Sequence, residues 1–421
     1  MISATARGSE EIPEHGRRQA LLAPVAHAST GHSGIRRKIL RSIGKGETIL
    51  KKKVLLAISG GVDSSAAAWL LKEEGYEVAG VTMCLGVREE GSKVRCCGRE
   101  AIEDARVVCE MLRIPHYVLD YAPLLETWVI DKFVREYRRG RTPNPCIDCN
   151  RYLKFGHLLN QARAMGFDYL ATGHYAKIER KGERWVLKKA KDSGKDQTYF
   201  LYPIPVAALE HILFPLADRM KDEVREIARQ ARLPVAEKPE SQDLCFVTQD
   251  SYRDFLQEQG CPVRSGPIVD RDGRILGEHS GTVFYTIGQR HGLGISSPYP
   301  LYVVDIDAAG NSVVVGEKQD VYAPGLVAGE MNWLTPERPQ EAEAKIRHRK
   351  RTSSCRIVPE GDRIRLYFEE DQDAITPGQA VVLYQGDEVL GGGVIEEVLR
   401  HEYRDPSLPL SAEFQSAMGR S

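Results

Sequence analysis

The sequence predicts an α/β protein in which an open parallel sheet is followed by a small central domain and a C-terminal β-barrel. Three observations carry that expectation. Val54 to Ile58, a glycine pair and the alanine-rich stretch from Asp63 to Leu71 read as strand, phosphate loop and helix. Glu77 to Thr82 is again apolar and β-branched, which makes a βαβ unit with parallel strands and a right-handed crossover. Beyond about residue 250 the texture changes to short β-branched segments separated by Gly, Asp, Asn and Pro.

The loop is the most specific of these. From Ser59 to Ser65 two glycines, Asp63 and the hydroxyls of Ser59, Ser64 and Ser65 fall within seven residues, more than a plain turn requires. Paired glycines let the backbone approach an anion, and the helix after them offers unsatisfied N–H groups at its positive end. This is a cradle for pyrophosphate. The lysine-bearing nucleotide loop G-x-x-x-x-G-K-[ST] does not occur in the sequence, which disfavours an ATPase or kinase of that type.

A length of 421 residues is enough for about two to three domains. With 42% hydrophobic and 28% charged residues the composition is that of a soluble globular protein, and no apolar run is long enough to span a bilayer. A net charge of −1 argues against a uniformly basic surface but leaves room for a local basic patch. Nine cysteines without a secretory signal fit a reducing, cytoplasmic setting, where a cysteine cluster is more often catalytic or metal-binding than a structural disulfide.

Residues 1–50 mix Gly, Ser, Pro, His and charge and read as a poorly ordered extension; Glu10, Glu11 and Glu14 sit poorly with a transit peptide. Residues 51–250 are expected to form one domain, the one that would carry the chemistry. Arg99 to Leu112 carries Ile102, Ala105, Val108, Cys109 and Leu112 near helical spacing, and His116 to Asp120 and Asp168 to Thr172 are further strands. Ligands of open α/β sheets collect beyond the carboxyl ends of strands, so Met83, Gly173 and His174 fall at the nucleotide site. Arg135 to Arg141 places four arginines around one tyrosine, a pattern suited to phosphates and a stacked base, or simply a solvated basic face. Pro143 and Pro145 flank Asn144 and are expected to stop helix on both sides, leaving Cys146 on a loop. Met220 opens a helix with Val224, Ile227, Ala228 and Ala231 buried. Residues 251–325 read as the central domain, 326–400 as the barrel and 401–421 as a tail. Strand candidates there are Val283 to Ile287, Tyr302 to Ile306, Val313 to Val315, Ile364 to Phe368, Ala380 to Tyr384 and Gly393 to Val398. The basic segment Lys345 to Arg351 is expected to face RNA.

Cys146, Cys149 and Cys245 admit two chemistries. One thiol carries sulfur as a persulfide and a second attacks it, leaving a transient disulfide. Alternatively C-x-x-C plus a distant cysteine ligates a metal or a 4Fe-4S cluster with one open position. Cys84, Cys96 and Cys97 form another near-sequence group, to which the sequence assigns no role; a second metal site is the minor reading of it.

SGGVDSS resembles the pyrophosphatase loop (PP-loop) of adenine-nucleotide α-hydrolase-like enzymes. These split ATP between the α and β phosphates, adenylate an oxygen and let a nucleophile displace AMP. With NPCIDCN, TGHYA, KDQTYFL, LCFV, FYTIGQRHGLGI, KIRHR and TPGQA in this order, residues 52 to 400 resemble the tRNA-specific 2-thiouridylase (MnmA) family. The resemblance implies ATP binding by Ala57, Ile58, Ser59, Gly60, Gly61, Val62, Asp63, Ser64, Met83 and Gly173, with Asp63 also catalytic. It implies Cys149 as nucleophile and Cys245 as persulfide carrier, joined transiently as a disulfide. Asn144, Pro145 and Cys146 would meet the target base, and His174, Lys195, Asp196, Gln197, Arg347, His348 and Gln379 would face tRNA. Some members have Asp where this chain has Cys146, which keeps the cluster alternative open.

The function implied is ATP-dependent 2-thiolation of the wobble uridine of glutamate, lysine and glutamine tRNAs, with Mg²⁺ on the polyphosphate and a persulfide donor protein as partner. The rival from another class is a small-molecule synthetase or amidotransferase sharing the loop, which would act without tRNA. A non-catalytic RNA-binding regulator would bind tRNA and release no pyrophosphate.

Overall fold

The computed structural model describes residues 51–86, 99–239, 244–247 and 252–400. The extension 1–50, Cys96, Cys97 and the tail 401–421 lie outside the described residues.

The expected strand-loop-helix-strand unit opens the fold as β1 (Lys53–Ala57), α1 (Val62–Glu73) and β2 (Glu77–Cys84), succeeded by α2 (Arg99–Leu112) and β3 (His116–Asp120). β1 is apolar because both of its faces are covered. Val54, Leu55 and Leu56 have no exposed surface, and full burial of each such side chain stabilises by about 1.5–3 kcal/mol. α2 buries Ala105, Val108, Cys109 and Leu112, the stripe its periodicity requires.

Between β3 and β4 (Tyr169–Thr172) the chain is helical: α3 (Ala122–Leu125), α4 (Asp131–Arg138), α5 (Pro145–Asp148) and α6 (Leu159–Ala164). Wide π-helical turns at Glu126–Ile130 and Cys149–Leu158 join α3 to α4 and α5 to α6. A hairpin of β5 (Lys177–Lys181) and β6 (Arg184–Lys188), then α7 (Val206–Leu209), β7 (Ile212–Leu213) and α8 (Lys221–Gln230), complete this half. The sheet has the order β3-β2-β1-β4-β7 and is parallel throughout, with β1 paired to β2 at Val54↔Val78 and to β4 at Val54↔Tyr169.

Contrary to the expectation from sequence, Pro145 does not stop helix. It occupies the first turn of α5, where its missing N–H costs nothing and its fixed φ fits, so Cys146 is helical.

The central sheet, preceded by α9 (Tyr252–Glu258), has the order β10-β11-β8-β9 from β8 (Gly266–Val269), β9 (Ile275–His279), β10 (Tyr302–Asp307) and β11 (Ser312–Gly316). Val283 to Ile287 is not a strand. Val283, Phe284 and Tyr285 are buried in succession, which a half-covered strand of period two cannot do, and the chain makes a 3₁₀ turn at Thr282–Phe284 instead.

Six antiparallel strands form the barrel: β12 (Tyr322–Trp333), β13 (Glu341–Lys345), β14 (Ser353–Glu360), β15 (Arg363–Asp373), β16 (Ala380–Gln385) and β17 (Glu388–Leu399). Their order is β12-β15-β14-β13-β16-β17, and pairing of β12 with β17 closes the ring and removes its edges. β17 also pairs with β6 at Glu388↔Lys188, so a hairpin from the N-terminal half extends the barrel sheet. One face of the parallel sheet, through Leu55 and Val81, shares a core with Phe133, Phe246 and the central-domain residues Ile268 and Val303.

Candidate active site

Beyond the carboxyl ends of β1, β2 and β4 lies a cavity of about 400 Å³. Ala57, Ile58, Ser59, Asp63, Ser64, Met83, Gly173 and His174 line it, together with Pro145, Cys146, Cys149 and Cys245. Phosphate-loop residues and all three candidate cysteines therefore face one space.

The loop is held by its own hydroxyls. Ser64 Oγ accepts from the Ser59 N–H at 3.1 Å, and Ser65 Oγ donates to the Gly61 carbonyl at 2.8 Å. Gly60 has φ +71°, and a Cβ there would fall 2.2 Å from the Ala101 carbonyl oxygen. A Cβ on Gly173 would fall 2.7 Å from the Ser64 nitrogen, so β4 runs against the start of α1 only without a side chain at this position. Gly61 caps α1 without a side-chain hydrogen bond, leaving the first N–H groups of the helix to be satisfied from the cavity side.

Asp63, in the first turn of α1, receives Lys221 Nζ on both carboxylate oxygens at 2.7 and 2.8 Å, and the Tyr175 hydroxyl donates to Oδ1 at 2.9 Å. Lys221 is the first residue of α8.

Cys149 begins the π-helical turn after α5 and is buried, whereas Cys146 opens into the cavity. Burial raises both thiols above the ordinary cysteine value, and Lys154, also on the cavity wall, pulls both back down in part. Cys245 lies on a turn and is exposed. Among the described residues no group of three or more His, Cys, Asp or Glu side chains is placed to hold a metal ion. Of the three candidate cysteines, Cys146 and Cys149 lie on one helical run and Cys245 on a separate turn. Cys84, at the end of β2, is disulfide-bonded.

Asp148 is buried between the two helical cysteines and pairs with Lys132 Nζ at 2.9 Å. Glu330, on β12 of the barrel, reaches Arg151 at 3.0 Å and Lys132 at 3.7 Å. The cysteine-bearing helix is in this way tied to the barrel by charge.

His174 forms a triangle with Phe155 and Phe214, every pair of ring centroids 6.0 Å apart, and its Nδ1 is 2.6 Å from Thr172 Oγ1. Burial holds its pKa well below the ordinary 6.5, so the ring is neutral at pH 7.

The remaining predicted residues fall into two groups away from this cavity. Asp196 is buried: its carboxylate accepts from the Thr198 hydroxyl at 2.7 Å, and its carbonyl lies 3.1 Å from His348 Nε2. The side chain is thus turned into the protein, while the His348 ring lies against Phe200, centroids 4.5 Å apart and tilted by 39°. Gln197 Oε1 accepts from the Tyr175 N–H at 3.0 Å, beside the half-buried Lys195. Arg347 and Gln379 line a second cavity of about 450 Å³ with Thr142, Thr286, Gly288 and Gln289. There Arg347 Nη2 donates to the Ala374 carbonyl at 2.7 Å and Gln379 Nε2 to the Thr142 carbonyl at 2.8 Å. Asn144 caps α5 beside the cysteines. Lys132, Lys154 and Lys221 escape a reading of the sequence, because each is an isolated lysine on a helix without a local pattern to mark it.

Three family models match in succession: the tRNA methyl transferase HUP domain over residues 52–249, the tRNA methyl transferase PRC-barrel domain over 253–317 and the aminomethyltransferase beta-barrel domain over 324–395. The chain is 88% identical over 358 residues to tRNA-specific 2-thiouridylase MnmA 1 of Syntrophus aciditrophicus (strain SB), covering 85% of this chain and 96% of that protein. It belongs to the tRNA-specific 2-thiouridylase (MnmA) family.

MnmA of Moorella thermoacetica (strain ATCC 39073 / JCM 9320) is 50% identical over 354 residues, covering 82% of this chain and 99% of the relative. Among solved structures, a 4-thiouridine synthetase–RNA complex with bound ATP aligns over 49% of this chain and 50% of its own, at 19% identity and TM-score 0.31. The motifs from SGGVDSS to TPGQA identify the same MnmA family as the sequence relatives do.

Proposed function

We propose that this chain is a tRNA-uridine 2-sulfurtransferase that activates the C2 oxygen of a wobble uridine with ATP and replaces it with sulfur from a cysteine persulfide. The observation that carries this reading is the single cavity lined by the phosphate loop at one side and by Cys146, Cys149 and Cys245 at the other. The domain models are described by methyl transfer and the relatives by thiouridylation; thiols on the cavity wall favour sulfur transfer.

In the first step the uridine O2 attacks the α phosphorus of ATP; the new O–P bond forms as the bond to pyrophosphate breaks. The start of α1 and the hydroxyls of Ser59 and Ser64 receive the polyphosphate, with Ala57, Ile58, Met83 and Gly173 around the nucleoside. Asp63 is the one carboxylate among the described cavity-lining residues, and one carboxylate plus substrate phosphates suits Mg²⁺. When bound there, Mg²⁺ would screen the phosphate charge.

In the second step the Cys149 thiolate attacks the inner sulfur of the Cys245 persulfide, forming a Cys149–Cys245 disulfide and releasing hydrosulfide. Hydrosulfide adds at C2, AMP leaves with the former O2, and 2-thiouridine remains. A thiol reductant and a persulfide donor protein then restore the two cysteines. A neutral His174 suits a site that must not protonate hydrosulfide. Asn144 to Cys146 would place the base, flipped from the single-stranded anticodon loop, while Lys195, Gln197, Arg347, His348 and Gln379 would meet the tRNA of glutamate, lysine and glutamine acceptors. Asp196 serves this face through His348. No described helix is long and apolar enough to cross a membrane, and we place the enzyme in the cytoplasm with its tRNA and ATP.

The test is Cys149→Ser. It is expected to retain tRNA-dependent pyrophosphate release and to lose thiolation; loss of both activities in a folded variant would remove Cys149 from the sulfur step.

A further inference from the structure

The phosphate loop carries no lysine of its own, and its one charged side chain, Asp63, has the same sign as the polyphosphate it is to receive. A bare carboxylate beside that anion would repel it, most strongly where protein displaces water. The compensating cation comes from elsewhere in the chain. Lys221 stands 158 positions away in sequence, and its Nζ takes both carboxylate oxygens of Asp63 at 2.7 and 2.8 Å.

Its placement is tightly determined. The Lys221 side chain is about one-tenth exposed and its backbone N–H donates to Asp192 Oδ2 at 2.9 Å, which fixes the start of α8. The Nζ lies 5.8 Å from the centroid of the Tyr175 ring, whose hydroxyl donates to the same Asp63 carboxylate. α8 packs beside α1, so Lys221 approaches Asp63 from behind the cavity and is not among the residues that line it. A buried cation with bidentate contact to one carboxylate is more than surface pairing: removing it leaves that carboxylate partly buried and uncompensated.

We propose that Lys221 is the positioning and charge-compensating residue of the phosphate loop, neutralising Asp63 and aiming it so that the loop accepts a polyphosphate anion. Lys221 acts through Asp63 and not by touching phosphate. The loop thus obtains from α8 the positive charge that lysine-bearing nucleotide loops carry within themselves.

The inference rests on the reading that the cavity takes ATP. It is tested on the full chain by calorimetric titration of inorganic pyrophosphate without Mg²⁺ and of Mg-ATP. Lys221→Met is expected to weaken pyrophosphate binding by at least about tenfold. Lys221→Arg should restore most of it, because the charge returns. The deciding variant is Lys221→Met combined with Asp63→Asn: with the carboxylate charge gone, pyrophosphate affinity should return to within about threefold of wild type, although catalysis does not. Thermal melting of the same variants separates this role from a structural one, which would move pyrophosphate affinity and melting temperature together. Should Lys221→Met unfold, Lys221→Gln serves the same comparison, with thermal melting as the control.

Unchanged pyrophosphate affinity in a folded Lys221→Met or Lys221→Gln protein would overturn the assignment. So would a double variant as weak as the single one, which would make Lys221 a direct phosphate contact. Wild-type protein that binds neither pyrophosphate nor Mg-ATP would overturn the nucleotide reading together with this inference.

Discussion

Asp148, set between Cys146 and Cys149, forms a buried ion pair with Lys132 at 2.9 Å. Burial pushes the Asp148 carboxyl above its ordinary value, and Lys132 and Arg151 pull it back in part. The Asp148 charge in turn raises the Cys149 thiol further. Lys132, on α4, therefore tethers α5, where the Asp148 carboxylate adjoins the Cys149 thiol. Lys132→Met is expected to destabilise the protein by about 3 kcal/mol, the cost of stranding a buried charge. Adding Asp148→Asn should recover more than half of that loss. Urea unfolding of the two single variants and the double variant measures the coupling; additive losses would show that the pair is not a unit.

Cysteine reactivity depends on the same surroundings. Burial raises Cys149 above 9.0, so its alkylation by iodoacetamide, read by peptide mass spectrometry, should still be accelerating past pH 9. Lys154 opposes that rise. Lys154→Met should therefore displace the profile to higher pH, and a profile that levels off below pH 9 would contradict the assigned environment.

Among the described residues three histidines are depressed by burial: His116, His174 and His348. The unfolded chain binds protons that the folded one refuses, so their contribution to stability is complete above about pH 6.5 and is lost as pH falls through their folded values. The urea midpoint should decrease steadily below about pH 6.5. His174→Asn should flatten part of that decline; an acid-insensitive midpoint would count against three neutral, half-buried rings.

Gly173→Ala tests the close approach of β4 to α1. Its Cβ would meet the Ser64 nitrogen at 2.7 Å and the Asp63 carbonyl carbon at 2.9 Å. A loss of about 1–3 kcal/mol of stability is expected, together with at least a tenfold fall in pyrophosphate release, since the backbone that moves is the loop itself. Activity equal to wild type would show that the loop tolerates displacement.

How far the sequence leads depends on whether a feature is local. Val54 to Leu71 announces a buried strand, a glycine turn and a helix because each is written within a few residues, and α2 shows its buried stripe in its spacing. Pro145 misleads because proline ends one helix and begins another, and only the backbone after it distinguishes the two. The π-helical turn at Cys149–Leu158 has no periodic signature, yet it sets where Cys149 and Lys154 point. The pairings of Lys221 with Asp63, of Glu330 with Arg151 and of β6 with β17 join residues far apart in the chain, so no local pattern could reveal them. Asp196 shows the opposite limit: a polar motif residue expected to face tRNA is turned inward, because its carboxylate is claimed by Thr198.

Nucleoside mass spectrometry tests the thiolation chemistry most directly. Unmodified glutamate, lysine and glutamine tRNAs would be incubated with the protein, Mg-ATP and a persulfide donor, then digested and analysed. The expected result is 2-thiouridine in all three tRNAs, with its formation abolished by omission of ATP and by Cys149→Ser. Pyrophosphate release without any 2-thiouridine would contradict sulfur transfer and return the chain to adenylating chemistry of another kind.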